Sequence, residues 1–168
     1  MMFLYHVYGE LEDNKNLQMA LKSGLSPNYT STFLGSGGGG AFFPEIMEEI
    51  QHTSEYEKWI NFDKGIVVFL DPNGFKKYLK FPVFSNQIMV FDRSITSILF
   101  SYIEDEYVFN ETGRVGTMIE PGTHDKRTLI EMYWESRVSL NDFLLTHPYE
   151  KPEILVFDHV PPEMLTLE

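Results

Sequence analysis

The chain has 168 residues, 43% hydrophobic and 15% aromatic, which suits one folded domain over residues 1–168 with a Phe-rich core and excludes a disordered chain. Its formal net charge is −12, and no basic cluster goes beyond Lys76-Lys77 and Lys126-Arg127, so a protein that wraps a nucleic-acid backbone is not expected. Cysteine is absent, which removes disulfides, thiolate metal sites and thiol nucleophiles.

Met1-Met2-Phe3-Leu4-Tyr5 lacks the basic and long apolar regions of a signal peptide. No apolar run approaches the roughly 20 residues of a membrane helix. A soluble, acidic, cytoplasmic protein with no membrane attachment is expected.

Phe3–Tyr8 is predicted as a central strand, with Leu4, His6 and Tyr8 on one face and Phe3, Tyr5 and Val7 on the other. Read alone, His6 is a core histidine bonded to a neighbour. Asn14–Ser23 is predicted as a short helix with Leu17, Ala20 and Leu21 as its apolar stripe and Gly24 as its stop. Tyr29–Leu34 is a short strand candidate. Residues 35–40, Gly35-Ser36-Gly37-Gly38-Gly39-Gly40, form a flexible loop, either a mobile lid or a plain linker. Ala41-Phe42-Phe43 follows where a Walker loop would need Gly-Lys-Ser/Thr, and the dinucleotide fingerprint is present only in fragments.

Pro44–Trp59 reads as helix, with Ile46, Met47 and Ile50 inward and Glu45, Glu48 and Glu49 as a solvated face. His52 has no second histidine at ligand spacing. Ile66–Leu70 is predicted as a buried strand closed by the turn Asp71-Pro72-Asn73-Gly74, and Gln87–Phe91 as another strand. Ile95–Tyr102 leans helical, Glu104-Asp105-Glu106 is a solvated turn, and Tyr107–Phe109 and Val115–Ile119 are short strand candidates. Leu129–Val138 fits helix or strand, and Leu140–Leu145 is a turn or short helix with Asn141-Asp142 at its start.

The closing run, Glu153-Ile154-Leu155-Val156-Phe157-Asp158-His159-Val160-Pro161-Pro162-Glu163, is a buried strand whose pairing should end at the two prolines. Glu153 at its entrance is either a solvated edge residue or an acid held over a cleft. Composition alone favours the edge.

Two ends of the chain resemble ADP-ribosyltransferase-fold proteins. Leu4-Tyr5-His6-Val7-Tyr8, followed by a helix ending in Gly24-Leu25-Ser26-Pro27, is similar to the family's first strand, helix and Gly-Leu-x-Pro turn. The run from Glu153 to Val160-Pro161-Pro162-Glu163 is similar to its last strand, in which a glutamate starts an apolar run that closes in a Pro-Pro turn. The resemblance covers roughly the first thirty and the last twenty residues and implies an α+β fold, a split β-sheet core with a few short helices. It implies NAD as substrate. His6 would bond a ribose of NAD, while Glu153 would hold the nicotinamide ribose 2′-hydroxyl and stabilise the oxocarbenium-like transition state, chemistry suited to a fixed carboxylate.

The family's middle motif is where this chain departs. Tyr29, beside Thr30, is the first choice for the aromatic residue that stacks on nicotinamide, and Tyr78 and Tyr102 are alternatives. His6 in the first strand, where the arginine-type members carry Arg, points to the histidine type. Leu140–Tyr149 would be the acceptor-selecting loop, with Asn141, Asp142 and Tyr149 as exposed candidates. The implied activity is ADP-ribosyl transfer to a protein or other macromolecule, as in a toxin or effector. Two alternatives stand beside it: a catalytically silent domain of this fold acting as an acidic binding module or inhibitor, and an unrelated α+β domain.

Overall fold

The first strand decides the direction of the first core. In the computed structural model, which describes residues 1–9, 14–26, 44–95, 98 and 126–168, β1 (Phe3–Tyr8) buries Leu4, His6 and Tyr8 and leaves Phe3, Tyr5 and Val7 half-buried, as its alternation requires. Its partner is β3 (Lys77–Pro82), antiparallel over six pairs from Phe3 opposite Pro82 to Tyr8 opposite Lys77. This strand was not among the expected ones. Lys77, Lys80 and Pro82 mask the alternation of Leu79 and Phe81, the two residues it buries. The outer edge of β3 carries β7 (Thr166–Leu167), so pairing resumes beyond the double proline, which itself forms a 3-10 turn over Pro162–Met164.

A second antiparallel sheet has the order β2-β6-β4-β5, where β2 is Ile66–Val68, β4 is Ile88–Asp92, β5 is Val138–Ser139 and β6 is Pro152–Val156. The expected strand Ile66–Leu70 is shorter than its apolar run. At Phe69 it leaves β6 and makes a single bridge to Tyr5 of the first sheet, with N–H···O contacts of 2.9 and 2.8 Å. The turn that follows is as expected: Asn73 and Gly74 take positive φ, and Asp71 Oδ1 accepts from the Asn73 amide at 2.7 Å.

β6 lies between β2 and β4 and is covered on both faces, which explains its unbroken apolar run. Ile154 and Val156 face a core shared with β1, β3, helix α1 (Asn14–Ser23) and helix α4 (Leu140–Thr146). Leu155 and Phe157 face a second core with helices α2 (Pro44–His52) and α3 (Lys126–Glu135), where Met47, Ile50, Leu129, Ile130 and Trp134 are buried. The ambiguous 129–138 segment thus divides into helix and then β5.

Helix α2 ends at His52, seven residues short of the expected Trp59. The hydroxyls of Thr53 and Ser54 both donate to the Ile50 carbonyl, at 2.9 and 3.2 Å, and compete with continuation of the backbone ladder. Helix α4 begins at Leu140, as expected, one residue before Asn141. Ser139 caps it, accepting from the Asp142 amide at 3.1 Å and donating to the Asp142 carboxylate at 2.8 Å. Among the described residues no helix is long and apolar enough to cross a membrane.

Candidate functional site

The Gly-Leu turn after α1 and the valine before the double proline meet directly. Leu25 and Val160 form a bridge, with Leu25 N donating to Val160 O at 2.9 Å and Val160 N to Leu25 O at 3.2 Å. Gly24 makes this approach available. Its φ is +91°, and a Cβ built there would lie 2.3 Å from the Val160 carbonyl oxygen.

The buried polar residues of the described part are His6, Ser136 and Glu153. Ser136 is structural. Its hydroxyl accepts from the Asp92 amide at 3.0 Å and donates to the Tyr133 carbonyl, tying the end of α3 to the end of β4. His6 and Glu153 need more explanation.

His6 sits where the two sheets part. Past the Tyr5–Phe69 bridge, a continued ladder would give the Val67 carbonyl to the Val7 amide. Instead His6 Nδ1 reaches that carbonyl at 2.8 Å. A carbonyl can only accept, so Nδ1 carries a proton. The ring stands edge-on to Tyr8 at 5.0 Å. His6→Phe keeps the volume but leaves Val67 short of its donor. A loss of roughly 1–3 kcal/mol is expected in chemical unfolding, and an unchanged midpoint would mean that the His6–Val67 bond does not hold the two sheets together.

Glu153 is 3% exposed, far from the solvated edge that composition favours. It lies opposite Phe91 on β4, and its Oε1 accepts from the Tyr133 phenol of α3 at 2.6 Å. The Tyr133 ring stacks on Phe91 with centroids 4.6 Å apart and planes at 12°. Burial raises the Glu153 pKa above the usual carboxylate range, while the Tyr133 hydrogen bond and the positive charge of Arg93 oppose that rise. Burial, then the charge of Glu153 and the hydrogen bond to it, push Tyr133 well above a normal phenol, so Tyr133 is the donor at neutral pH. Among the described residues no second donor reaches Glu153, and Oε2 takes no hydrogen bond there.

His6 and Glu153 do not face one cleft. His6 projects with Leu4 and Tyr8 toward the first core, whereas Glu153 projects with Leu155 and Phe157 toward the second. Directly paired residues share a face, so Tyr5 and its bridge partner Phe69 lie on the Glu153 side. Tyr78, opposite Val7, is on that side too, edge-on to Tyr5 at 5.6 Å. Of the three aromatic candidates, Tyr78 is therefore the one placed on the Glu153 side; Tyr29, Thr30, Tyr102 and the 35–40 glycine run lie outside the described residues.

Beside Glu153 a cleft of about 490 Å³ opens between the end of β2 and the start of β6. Pro152 and Ile154 line it while Glu153, between them, points away. Arg93 joins the two environments: it lines the cleft, lies over the Phe69 ring at 5.8 Å, and its charge acts on Glu153. Sequence reading gave no role to Arg93 or Tyr133. The only signal for Tyr133 was a hydroxyl-bearing aromatic within an apolar helical stripe.

The other candidates sort simply. Asn141 and Asp142 are exposed on α4, but Tyr149 is half-buried with its hydroxyl donated to the Ser136 carbonyl. His52 is paired with Glu48 at 3.7 Å on the surface of α2. Among the described residues no group of three or more His, Asp or Glu side chains is placed to hold a metal ion.

No family model, curated protein or solved structure matches the chain.

Proposed function

We propose that the protein is an ADP-ribosyltransferase-fold enzyme that consumes NAD, with Glu153 as the catalytic carboxylate and a protein or other macromolecule as acceptor. The observation that carries this reading is the state of Glu153: a buried carboxylate held through one oxygen by Tyr133, with Oε2 taking no hydrogen bond among the described residues. Burying a carboxylate with one hydrogen bond costs stability, and carboxylates shifted by burial are enriched at functional sites. In a water-poor setting its charge would act strongly on a sugar that becomes cationic as nicotinamide leaves, and Oε2 would take the ribose hydroxyl. Two further facts support the reading. The residues singled out by the resemblance, His6 and Glu153, are two of the three buried polar residues described. The two end motifs that carry it are hydrogen-bonded to each other.

The test is nicotinamide release from labelled NAD by wild type and Glu153→Gln. Wild-type release at least 100-fold above the variant is expected, the order of loss typical when a stabilising group is removed from a transition state. Equal rates would falsify the enzyme reading.

A second reading has its own observation. A cleft of about 680 Å³ beside β5 is lined by Glu55, Glu57, Glu135 and Asp142. The arginine in it, Arg137, lies over the Trp134 ring at 4.2 Å and donates to the Trp134 and Glu55 carbonyls rather than to these carboxylates. Arg137 offsets one of the four carboxylates, and the cleft stays net negative. This, with His6 and Glu153 on opposite faces, favours a silent domain that offers an acidic surface to a basic partner. Salt-sensitive binding of a basic protein, unchanged in Glu153→Gln, would identify it.

A further inference from the structure

We propose that Tyr133 is the positioning residue for Glu153: its phenol grips Oε1 from a rigid helix and leaves Oε2 as the oxygen that meets a ligand. The part played by Oε2 rests on the NAD-consuming reading above, whereas the grip itself does not.

The geometry argues for a placed donor rather than a fortuitous one. Tyr133 is fully buried, and its neighbours on α3, Ile130 and Trp134, are fully buried as well. Its ring is fixed by the Phe91 stack and by Phe62, 6.0 Å away. Phe91 is itself the residue opposite Glu153, so donor and acceptor are both referenced to the same point on β4. Ser136 locks the end of α3 to Asp92, the next residue of that strand. At the start of the helix Arg127 pairs with Glu49 of α2. A side chain held this way returns to one position, as a group that must orient a carboxylate has to do.

Packing alone would not require the hydroxyl. Phenylalanine fills the same volume and stacks on Phe91 equally well, so the packing of the ring does not depend on the hydroxyl. The hydroxyl opposes the upward push of burial on Glu153, together with the charge of Arg93. Facing Glu153 are Tyr133 from α3, Phe91 from β4, and Arg93 just beyond the end of β4.

The experiment is carboxyl ¹³C NMR titration of Glu153 in wild type and Tyr133→Phe, beside the pH profile of nicotinamide release. Loss of the phenol should move the Glu153 titration to higher pH. The acid limb of the rate should follow it, with kcat lowered on the order of 10- to 100-fold and KM for NAD little changed. An unmoved titration overturns the proposal. A titration that moves in a protein whose wild type releases no nicotinamide upholds the grip and removes the NAD reading, so the two failures are distinct. Should Tyr133→Phe not fold, 3-fluorotyrosine at position 133 keeps the shape and is a stronger donor. It should move the titration to lower pH, and a shift in the opposite direction, or none, overturns the proposal equally.

Discussion

Glu153→Gln is expected to stabilise the fold at neutral pH while abolishing nicotinamide release. The folded state holds the Glu153 proton more tightly than the unfolded chain, because burial raises the pKa more than Tyr133 and Arg93 lower it. A carboxyl group raised in this way contributes most stability when protonated, below its unfolded value. That contribution is lost as pH rises through the folded value. Above the unfolded value, the fold carries the cost of that raised pKa. Glutamine keeps an oxygen for the Tyr133 phenol and carries no charge to desolvate, so it should recover roughly 1–3 kcal/mol, the scale of the desolvation penalty of a polar group. For a chain of this size that is about 2–4 °C in Tm per kcal/mol. The gain should shrink toward zero below the ordinary carboxylate range, where wild type is also neutral. Thermal melts of both proteins at pH 8 and pH 4 decide it. A variant less stable than wild type at both pH values would mean that the carboxylate serves the fold, and the argument from retained cost would be lost. Glu153→Ala should behave oppositely. It strands the Tyr133 hydroxyl and opens a cavity, and a loss of about 2–4 kcal/mol is expected at either pH.

What could be read from the residues follows the range of the forces involved. Local signals served well: β1 and α1 have the bounds that alternation, the apolar stripe and Gly24 imply, and the 71–74 turn has the conformation its Asp-Pro-Asn-Gly sequence demands. Local competition was less visible. Two hydroxyls at Thr53 and Ser54 end α2 early, and the lysines of β3 hid a strand whose Leu79 and Phe81 are fully buried. β7 is only two residues long and owes its pairing to the β3 edge rather than to its own composition.

The site depended on longer-range information. Period-two alternation places Glu153 with Leu155 and His6 with Leu4, but whether those faces coincide is set by how the sheets join at Tyr5 and Phe69. That junction puts them on opposite sides. Tyr133 is twenty residues from Glu153 in sequence, and no spacing rule links a helix tyrosine to a strand glutamate across a helix–sheet interface. Conversely, the Gly-Leu turn and the Val-Pro-Pro turn, both legible as turn sequences, meet in the Leu25–Val160 bridge, and a glycine at φ +91° packed on a carbonyl is a demand that sequence can carry.

That bridge gives the largest expected loss. Gly24→Ala should destabilise the protein by roughly 3–5 kcal/mol, and two contributions lead to that figure. A β-carbon on a residue with φ of +91° costs of order 1–3 kcal/mol in backbone strain. The added carbon would also sit 2.3 Å from the Val160 carbonyl oxygen and 2.6 Å from His159 Nε2. The imidazole can swing away, because His159 is exposed, but the carbonyl is backbone and can retreat only by opening the two Leu25–Val160 hydrogen bonds, each worth about 1 kcal/mol. Gly74→Ala is the control that separates the two contributions. Gly74 has a similar φ of +79° but nothing within 4 Å of its built Cβ, so it should show the strain alone. Denaturant midpoints for both variants then report the close approach by difference. If Gly24→Ala costs no more than Gly74→Ala, the contact with Val160 is not a constraint on the fold. If it costs more, as expected, the Gly-Leu turn and the Val-Pro-Pro turn are coupled energetically, and the end of the strand that carries Glu153 is anchored by the helix that follows His6.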